Sequence, residues 1–351
     1  MLPAHRLRRV LTALVAAICS SAAFCAAQGV PASAGHAAIA LVLPFYASEF
    51  SPAAEAVRQG VEAANRVAGN RFAIQLWHTD ASVDKILAAY NSAVAAGAKA
   101  VIGPMTRTGV TALAAANGGV IPTVALNHGE AGKPLPPHFY TFGLALDAEA
   151  KIVAQVAWRE DLRNMAVVGT TSPLSKRSVD AFVDEWLLLG GRITDVYSVP
   201  PDAELSVLKQ ALIDKPPDAV FLAADPQRAA ALRPYLGQLP VWMTSQVNSG
   251  GATRLAALDL EGIRFLDMPW LLQPNRPAVA IYPRAPTSGG DLERFYALGI
   301  DAFRLAAALA DGQTNPEIDG VTGKIRIAPG GNVIREPVAA TFRNGAAVTM
   351  K

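Results

Sequence analysis

Ser82 and Lys85 show the spacing that comes nearest to a known catalytic motif. In Ser82-Val83-Asp84-Lys85 they match the S-x-x-K pattern of penicillin-recognising serine enzymes, in which the serine is the nucleophile and the lysine lies beside it on a helix. That chemistry also needs S-D-N and K-T-G elements, and the sequence has neither. Because a two-residue match arises readily by chance, we interpret Ser82 as a helix N-cap and Lys85 as an exposed side chain.

Other catalytic and metal-binding patterns are missing from the sequence. It contains no G-x-S-x-G, no G-x-x-x-x-G-K-[ST] and no G-x-G-x-x-G, which argues against a nucleophile elbow, a P-loop and a dinucleotide fingerprint. Glu55 and Glu62 fit a solvated helix face better than an acid–base pair. The histidines after residue 27 form no ligand-spaced pair; they are His36, His78, His128 and His138. We therefore predict a protein that is not an enzyme and that uses no metal or cofactor.

Polar side chains follow several strand-like segments, where a parallel sheet would bind a ligand. In open parallel sheets the ligand site lies beyond the carboxyl ends of the strands, and the loops there lead into helix N-termini that favour a carboxylate. Helix capping is the alternative role for each residue, because it uses the same residue types. The candidate residues for a ligand cleft are Tyr46, Thr106, Arg107, Asn127, Thr170, Asp225, Ser245 and Gln246.

Arg107 is the candidate charge in this set. It stands at a predicted strand-to-helix turn and could clamp a carboxylate, although a solvated loop arginine is the alternative. An amino-acid site would also need hydroxyl donors for the carboxylate and an acid for the ammonium group. Thr106, Thr170 and Ser245 could supply the donors, and Asp225 is the candidate acid.

Strand-like and helix-like segments alternate from residue 37 onward. Residues 38–45 are a continuous apolar run, as expected of a strand buried on both faces. The alternation restarts near residue 148 and ends with two antiparallel strand-like stretches, 323–327 and 333–342. Residues 272–290, rich in Pro, Gly, Arg and Ser, are expected to form a mobile surface loop. The pattern predicts an α/β protein with two doubly wound parallel-sheet lobes.

The N-terminal stretch has the composition of an export signal. Three arginines precede a short apolar run, 10–18, and small residues follow. We expect a signal peptide over 1–27, with an uncleaved anchor as the alternative. The whole chain has 31 basic and 29 acidic residues; residues 1–27 hold three arginines and no acid, so 28 and 29 remain. A mature chain without excess basic charge is not expected to bind nucleic acid.

Both cysteines, Cys19 and Cys25, lie within this N-terminal stretch. The mature chain is therefore predicted to have no disulfide and no thiolate metal site. Cys25 could instead be lipidated after lipoprotein processing. That processing requires a small residue immediately before the cysteine, and Phe24 stands there, so simple secretion is the favoured interpretation.

Eight stretches together resemble one known family. In chain order they are IALVLPF, VIGPMTRTGVTALA, VIPTVALN, FYTFGLALDAEA, TSQVNSG, FLDMPWLL, YALGIDAFRLA and GVTGKIRIAPGGNVIREPVAATFRNG. This order is similar to that of the LppC-type family, the activators of class A penicillin-binding proteins. The resemblance extends from about residue 38 to the end, and FLDMPWLL with FYTFGL is its more specific part.

The resemblance implies a type 1 periplasmic binding protein fold, two lobes joined by three crossovers. We expect this domain over 37–351, with one lobe formed by about 37–144 and 270–318 and the other by about 145–269 and 319–351. Longer members of the family carry an additional N-terminal helical-repeat domain, for which this sequence has no matching segment, and members are usually lipidated.

Two functional hypotheses follow. In the first, the protein is a non-enzymatic periplasmic regulator that binds and activates a class A penicillin-binding protein. A lipid on Cys25 would tether this regulator to the outer membrane. In the second, it is the solute receptor of an ABC transporter and binds an amino acid or amide in its cleft. The first is favoured because the cleft loops offer donors but no convincing acid for an ammonium group.

Overall fold

The buried hexapeptide AIALVL lies inside a parallel sheet, as its uninterrupted apolar character predicts. The structure is a computed structural model, and it describes residues 37–116, 118–130, 133–249, 254–286 and 289–350. The predicted signal peptide and Cys25 lie outside these residues. The first elements are β1 (Ala38–Leu43), α1 (Ser51–Val67), β2 (Ala73–His78), α2 (Val83–Ala95), β3 (Ala100–Ile102), α3 (Arg107–Ala115), β4 (Thr123–Ala125) and β5 (Phe139–Thr141).

These five strands form one parallel sheet in the order β2-β1-β3-β4-β5. The chain then continues with alternating helices and strands, and these strands belong to a second sheet. The elements are α4 (Leu146–Arg159), β6 (Asn164–Gly169), α5 (Pro173–Leu188), β7 (Arg192–Ser198), α6 (Leu205–Asp214), β8 (Ala219–Ala223), α7 (Pro226–Leu232), β9 (Val241–Met243), α8 (Arg254–Leu258) and β10 (Ile263–Asp267). Short 3₁₀ helices follow α7, at Arg233–Leu236, and β9, at Ser245–Val247.

The remaining elements return to the first sheet and then to the second. They are α9 (Pro269–Leu272), α10 (Pro277–Ala280), α11 (Gly290–Ala310), β11 (Ile318–Asp319), β12 (Lys324–Ile327), β13 (Val333–Glu336), β14 (Val338–Arg343) and β15 (Ala346–Thr349). The second sheet has the order β15-β14-β10-β9-β8-β6-β7, in which β14 and β15 run antiparallel to their neighbours. A small antiparallel sheet has the order β11-β12-β13.

We call the units built on the five-stranded and seven-stranded sheets the first lobe and the second lobe. Each sheet is covered by apolar cores on both faces, which is the doubly wound arrangement predicted from the alternation. The chain passes between the lobes three times: over 142–145, after β10, and at Pro337.

Pro337 divides a stretch that was expected to be one strand. Residues 333–336 pair with β12, whereas 338–343 pair with β10 in the other sheet. Proline has no backbone N–H and cannot continue a ladder, so the chain changes sheets there. The apolar pattern on either side of Pro337 is strand-like in both sheets and gave no sign of the change.

The small antiparallel sheet packs on the first lobe. Val321, Ile325 and Val333 are buried in the same core as β1 and α11, although the expected division assigned everything after 318 to the second lobe. The stretch 272–290 also differs from the expected loop: it contains α10, and Val279 and Tyr282 are buried in this core. Burial of these apolar side chains provides the reason for both differences.

Helix α11 is the central helix of the first lobe and packs closely on α1. A side chain at Gly60 would collide with the backbone carbonyl of Tyr296, and one at Gly299 would collide with that of Val57. The two glycines therefore allow the helix backbones to approach. Of the helices in the described ranges, none is both long and apolar enough to cross a membrane.

Candidate functional site

In the first lobe, two of the predicted cleft residues stabilise the loops themselves. Thr106 is the N-cap of α3, and its Oγ1 accepts a hydrogen bond from the backbone N of Gly109 at 3.2 Å. The Asn127 Nδ2 donates to the carbonyl of Met105 at 3.0 Å, and its Oδ1 accepts from the backbone N of His128 at 2.9 Å. Thr106 therefore follows the capping alternative, and the Asn127 amide is satisfied by backbone groups of the loops.

Local hydrogen bonds to the backbone also account for two residues of the second lobe. Asp225 accepts a hydrogen bond from the backbone N of Arg228 at 2.8 Å and is the N-cap of α7. The Thr170 hydroxyl accepts from the backbone N of Ser172 at 3.3 Å, within the turn that begins α5. Asp225 is nevertheless exposed, so its carboxylate is accessible from solvent.

Tyr46 and Gln246 have no capping role. The Tyr46 side chain is 73% exposed, and its ring lies 5.3 Å from the ring of His78. Gln246 is half-buried within the 3₁₀ helix after β9. Among the hydrogen bonds of the described residues, none joins two of the eight predicted side chains to each other.

Ser245 holds a carboxylate, but that carboxylate belongs to the protein. Its backbone N and its Oγ each donate to one oxygen of Glu149, the second at 3.0 Å. Both residues are buried, with 5% and 3% of their surface exposed. Glu149 lies in the first turn of α4, next to the first passage between the lobes. The donor predicted to bind a ligand is therefore satisfied internally.

Further charged groups surround this pair. The Arg335 Nη2 lies 3.6 Å from a Glu149 carboxylate oxygen. Arg294 binds Asp267 through two nitrogens, at 3.1 Å and 2.7 Å, and also donates to the carbonyls of Ser245 and Asn248, at 3.0 Å and 2.7 Å. We call this group the crossover network; its members are Glu149, Ser245, Asn248, Asp267, Arg294 and Arg335.

Each passage between the lobes contributes to the crossover network. Glu149 follows the first passage, Asp267 is the last residue of β10 before the second, and Arg335 lies on β13 just before the third. Arg294 belongs to α11, the helix that enters the first lobe after the second passage. Two buried acids thus face two buried arginines, as buried charges require.

The pKa values within the network follow from burial and pairing. Burial raises the pKa of Glu149, against the attraction of Arg335 and the hydrogen bond from Ser245. Burial by itself would lower the pKa of Arg294. The attraction and hydrogen bonds of Asp267, together with the attraction of Glu149 and Asp291, outweigh burial and raise that pKa. Arg294 therefore carries its charge permanently.

Arg107 also binds an internal carboxylate. Its Nη2 lies 3.3 Å from an Asp147 oxygen, and the two side chains are 46% and 29% exposed. His128 lies close to this pair: burial lowers its pKa, Asp147 acts to raise it, and Arg107 and Arg335 act to lower it further. The pair joins α3 of the first lobe to α4 of the second.

Sequence reasoning missed Glu149, Asp267, Arg294 and Arg335. A usable signal was present for Asp267, the single charge in FLDMPWLL, but not for Glu149, which has charged neighbours two residues away on both sides, or for Arg335, which is followed by Glu336. A charge in such a stretch must be buried with a partner or exposed by a bend. In the described residues, no group of three or more His, Cys, Asp or Glu could hold a metal ion.

Two surface cavities lie away from the predicted cleft residues. One, of about 610 Å³, is lined by residues 272–276. The other, of about 540 Å³, is lined by residues 135–140, 314–315 and 327–331 beside β5. None of the eight predicted residues lines either cavity.

Comparison with known proteins places the chain in a family. The family described as "LppC putative lipoprotein" matches residues 32–345. The chain belongs to the LppC family. Among the relatives is the "Penicillin-binding protein activator LpoA" of Glaesserella parasuis, which is 24% identical over 320 residues, or 88% of this chain and 54% of the relative. The chain thus spans about half the length of the curated LppC-family relatives it matches.

Solved structures confirm the type 1 periplasmic binding protein fold for this LppC-family chain. The C-domain of LpoA from Haemophilus influenzae, "a regulator of PBP1A", is 22% identical with a TM-score of 0.75, over 90% of this chain and all of that one. A protein from Chromobacterium violaceum described as a "putative branched-chain amino acid ABC transporter" is 36% identical with a TM-score of 0.74, over 87% of this chain and 99% of that one.

Proposed function

We propose that this protein is a non-enzymatic regulator that binds a class A penicillin-binding protein and activates its peptidoglycan synthesis. Membership of the LppC family supports the proposal, together with relatives that are named as activators of penicillin-binding proteins. We place its action in the periplasm after removal of residues 1–27, with a tether to the outer membrane if Cys25 is lipidated.

The observation that carries the proposal is the contact between Ser245 and Glu149. A solute receptor must leave its carboxylate donors free for the solute. Here the backbone N and hydroxyl of Ser245 are bonded to Glu149, and the Arg107 guanidinium is paired with Asp147. Both groups that could recognise a free carboxylate already have one, so binding through the outer surface is favoured over binding in the cleft.

A solute receptor for amino acids or amides is the second candidate. The 36% identity to the Chromobacterium violaceum protein favours it. In that case the exposed Tyr46 and Asp225 and the half-buried Gln246 are the remaining predicted residues that could reach a ligand.

The test combines ligand binding with capture of the synthase. Purified protein lacking residues 1–27 is screened by thermal shift against amino acids, small amides and peptidoglycan peptides. A purified class A penicillin-binding protein is tested alongside for capture and for its rate of glycan polymerisation. We expect capture, a higher polymerisation rate and no ligand-dependent shift.

A clear shift with one small ligand, without capture of the synthase, would contradict the proposal and indicate a transport receptor. A ligand that binds only the native state stabilises it by a free energy that grows with the logarithm of one plus the ratio of ligand concentration to Kd, so the screen is sensitive even to weak ligands at high concentration.

A further inference from the structure

The groups around Glu149 have the composition of a carboxylate-binding site. One backbone N–H and one hydroxyl, both from Ser245, and one guanidinium, from Arg335, converge on its two oxygens. Hydrogen bonds to an ionised carboxylate, like the two from Ser245, are stronger than neutral ones, and the Arg335 guanidinium adds an ion pair at 3.6 Å. Ser245 follows β9 at the carboxyl end of a parallel strand, which is where open α/β sheets bind their ligands.

The occupant comes from the protein and joins parts of both lobes. Glu149 and Ser245 belong to the second lobe, whereas Arg335 lies on β13, which packs on the first lobe. Removal of the Glu149 side chain would leave the two Ser245 donors without their acceptor and the Arg335 guanidinium without its carboxylate, in a buried site with room for a small molecule of similar shape.

Arg294 strengthens the connection between the lobes. It starts from α11, whose length is buried in the core of the first lobe, and its guanidinium reaches Asp267, Ser245 and Asn248 in the second. Because the Ser245 carbonyl binds Arg294 while its N–H and hydroxyl bind Glu149, one residue is fixed from both sides.

We propose that Ser245 and Arg335 form a carboxylate site that Glu149 occupies as a built-in ligand, and that this occupancy holds the two lobes at one angle. A solute receptor obtains the same connection only when a diffusible ligand is bound. The proposal does not depend on the identity of the protein's partner, since it concerns contacts within the chain.

The test removes the built-in ligand and supplies it from solution. Full-length Glu149→Ala protein is compared with the unaltered protein in sodium acetate and in sodium chloride at matched ionic strength, with acetamide as the neutral analogue. We expect acetate to raise the thermal midpoint of the variant by about 3 °C over chloride, and acetamide to raise it by much less. The unaltered protein should show no difference between acetate and chloride.

Glu55→Ala is the matched control, because Glu55 also accepts hydrogen bonds from an arginine but lies partly exposed on α1. Its midpoint should not respond to acetate. An acetate response of the unaltered protein, or an equal response of both variants, would overturn the proposal.

A second measurement applies if Glu149→Ala does not fold. Glu149→Gln keeps the shape of the side chain but weakens its bonds to Ser245 and Arg335. Small-angle X-ray scattering should then show a wider distribution of interatomic distances than in the unaltered protein, because the lobes are less firmly held. Identical distributions for Glu149→Gln and the unaltered protein would overturn the role in fixing the lobes.

Discussion

Asp301 accepts two hydrogen bonds from Thr322, one from the backbone N and one from the hydroxyl, each 2.7 Å long. Its other oxygen accepts from the backbone N of Val321 at 3.1 Å and lies 3.3 Å from an Arg304 nitrogen. Asp301 and Thr322 are both fully buried. This contact fixes the turn before β12 to α11 and so joins the small antiparallel sheet to the first lobe.

We expect Thr322→Val to lower the free energy of unfolding by about 1–2 kcal/mol, because the change removes one buried hydrogen bond to a charged group. Asp301→Asn should cost more, since its amide NH₂ cannot accept the bonds that the lost oxygen accepts. Urea unfolding measures both. Thr349→Val, on the exposed edge strand β15, is the control and should change stability by less than about 0.5 kcal/mol. Equal effects at positions 322 and 349 would contradict the importance of the contact.

Replacement of Arg294 should be the most damaging change in the crossover network. Arg294→Met leaves Asp267 buried without its partner and removes the bonds to two carbonyls, so we expect a loss of about 3–5 kcal/mol. Arg326→Met removes an exposed arginine from β12 and should cost little. The pair Asp267→Asn with Arg294→Met should be more stable than the sum of the single effects predicts. Strictly additive losses would show that the two residues do not interact.

His128 makes stability depend on pH. Its pKa is lowered by burial from an ordinary value of 6.5, so the folded protein binds a proton less readily than the unfolded chain does. Its contribution is therefore complete above pH 6.5 and is lost progressively as the pH falls below that value. The groups that face it are Asp147, which opposes the shift, and Arg107 and Arg335, which reinforce it.

We expect His128→Gln to flatten the decrease in unfolding free energy between about pH 7 and pH 5. Urea unfolding at several pH values provides the measurement, and His78→Gln provides a second histidine for comparison. A slope that is unchanged in His128→Gln would contradict the assignment.

The close packing of α1 and α11 reverses a normal effect. Glycine to alanine inside a helix usually stabilises a protein by about 0.5–1 kcal/mol. Gly299→Ala should instead destabilise by about 1–3 kcal/mol, because the new methyl group collides with the Val57 carbonyl and overpacks the helix contact. Ser92→Ala, on the exposed face of α2, is the control and should be neutral or slightly stabilising. Thermal unfolding distinguishes the two signs.

Local pattern was sufficient for the fold. The apolar run of β1 and the helical stripes between strands predicted two parallel sheets, and the resemblance predicted their crossovers. The lobe to which each strand after residue 318 belongs could not be predicted from the sequence. The strands on either side of Pro337 have the same local pattern and differ only in the distant strands with which they pair.

Of the crossover network, only the donor Ser245 was predicted, and neither its acceptor nor the two arginines. Ser245 was identified from its place after a strand, but its partner Glu149 lies 96 residues away in the sequence. Hydrophobic periodicity and short motifs describe only residues that are close in the sequence. They cannot show that a donor is already bonded to a distant residue of the same chain. The caps at Thr106 and Asp225 illustrate the same limit, since capping and ligand binding use identical residue types.

The passage at Pro337 also affects the order in which the chain can be assembled. Strand β14 pairs with β10 and carries β15 beyond it, and both come later in the chain than every other strand of the second sheet. The first lobe likewise waits for α11, which follows the whole parallel part of the second. Neither lobe can close its core while most of the chain is still being delivered, and chains of this size commonly expose apolar surface in such intermediates. Folding of the two lobes is thereby coupled, and the protein depends most on protection from aggregation before α11 and β14 have been synthesised.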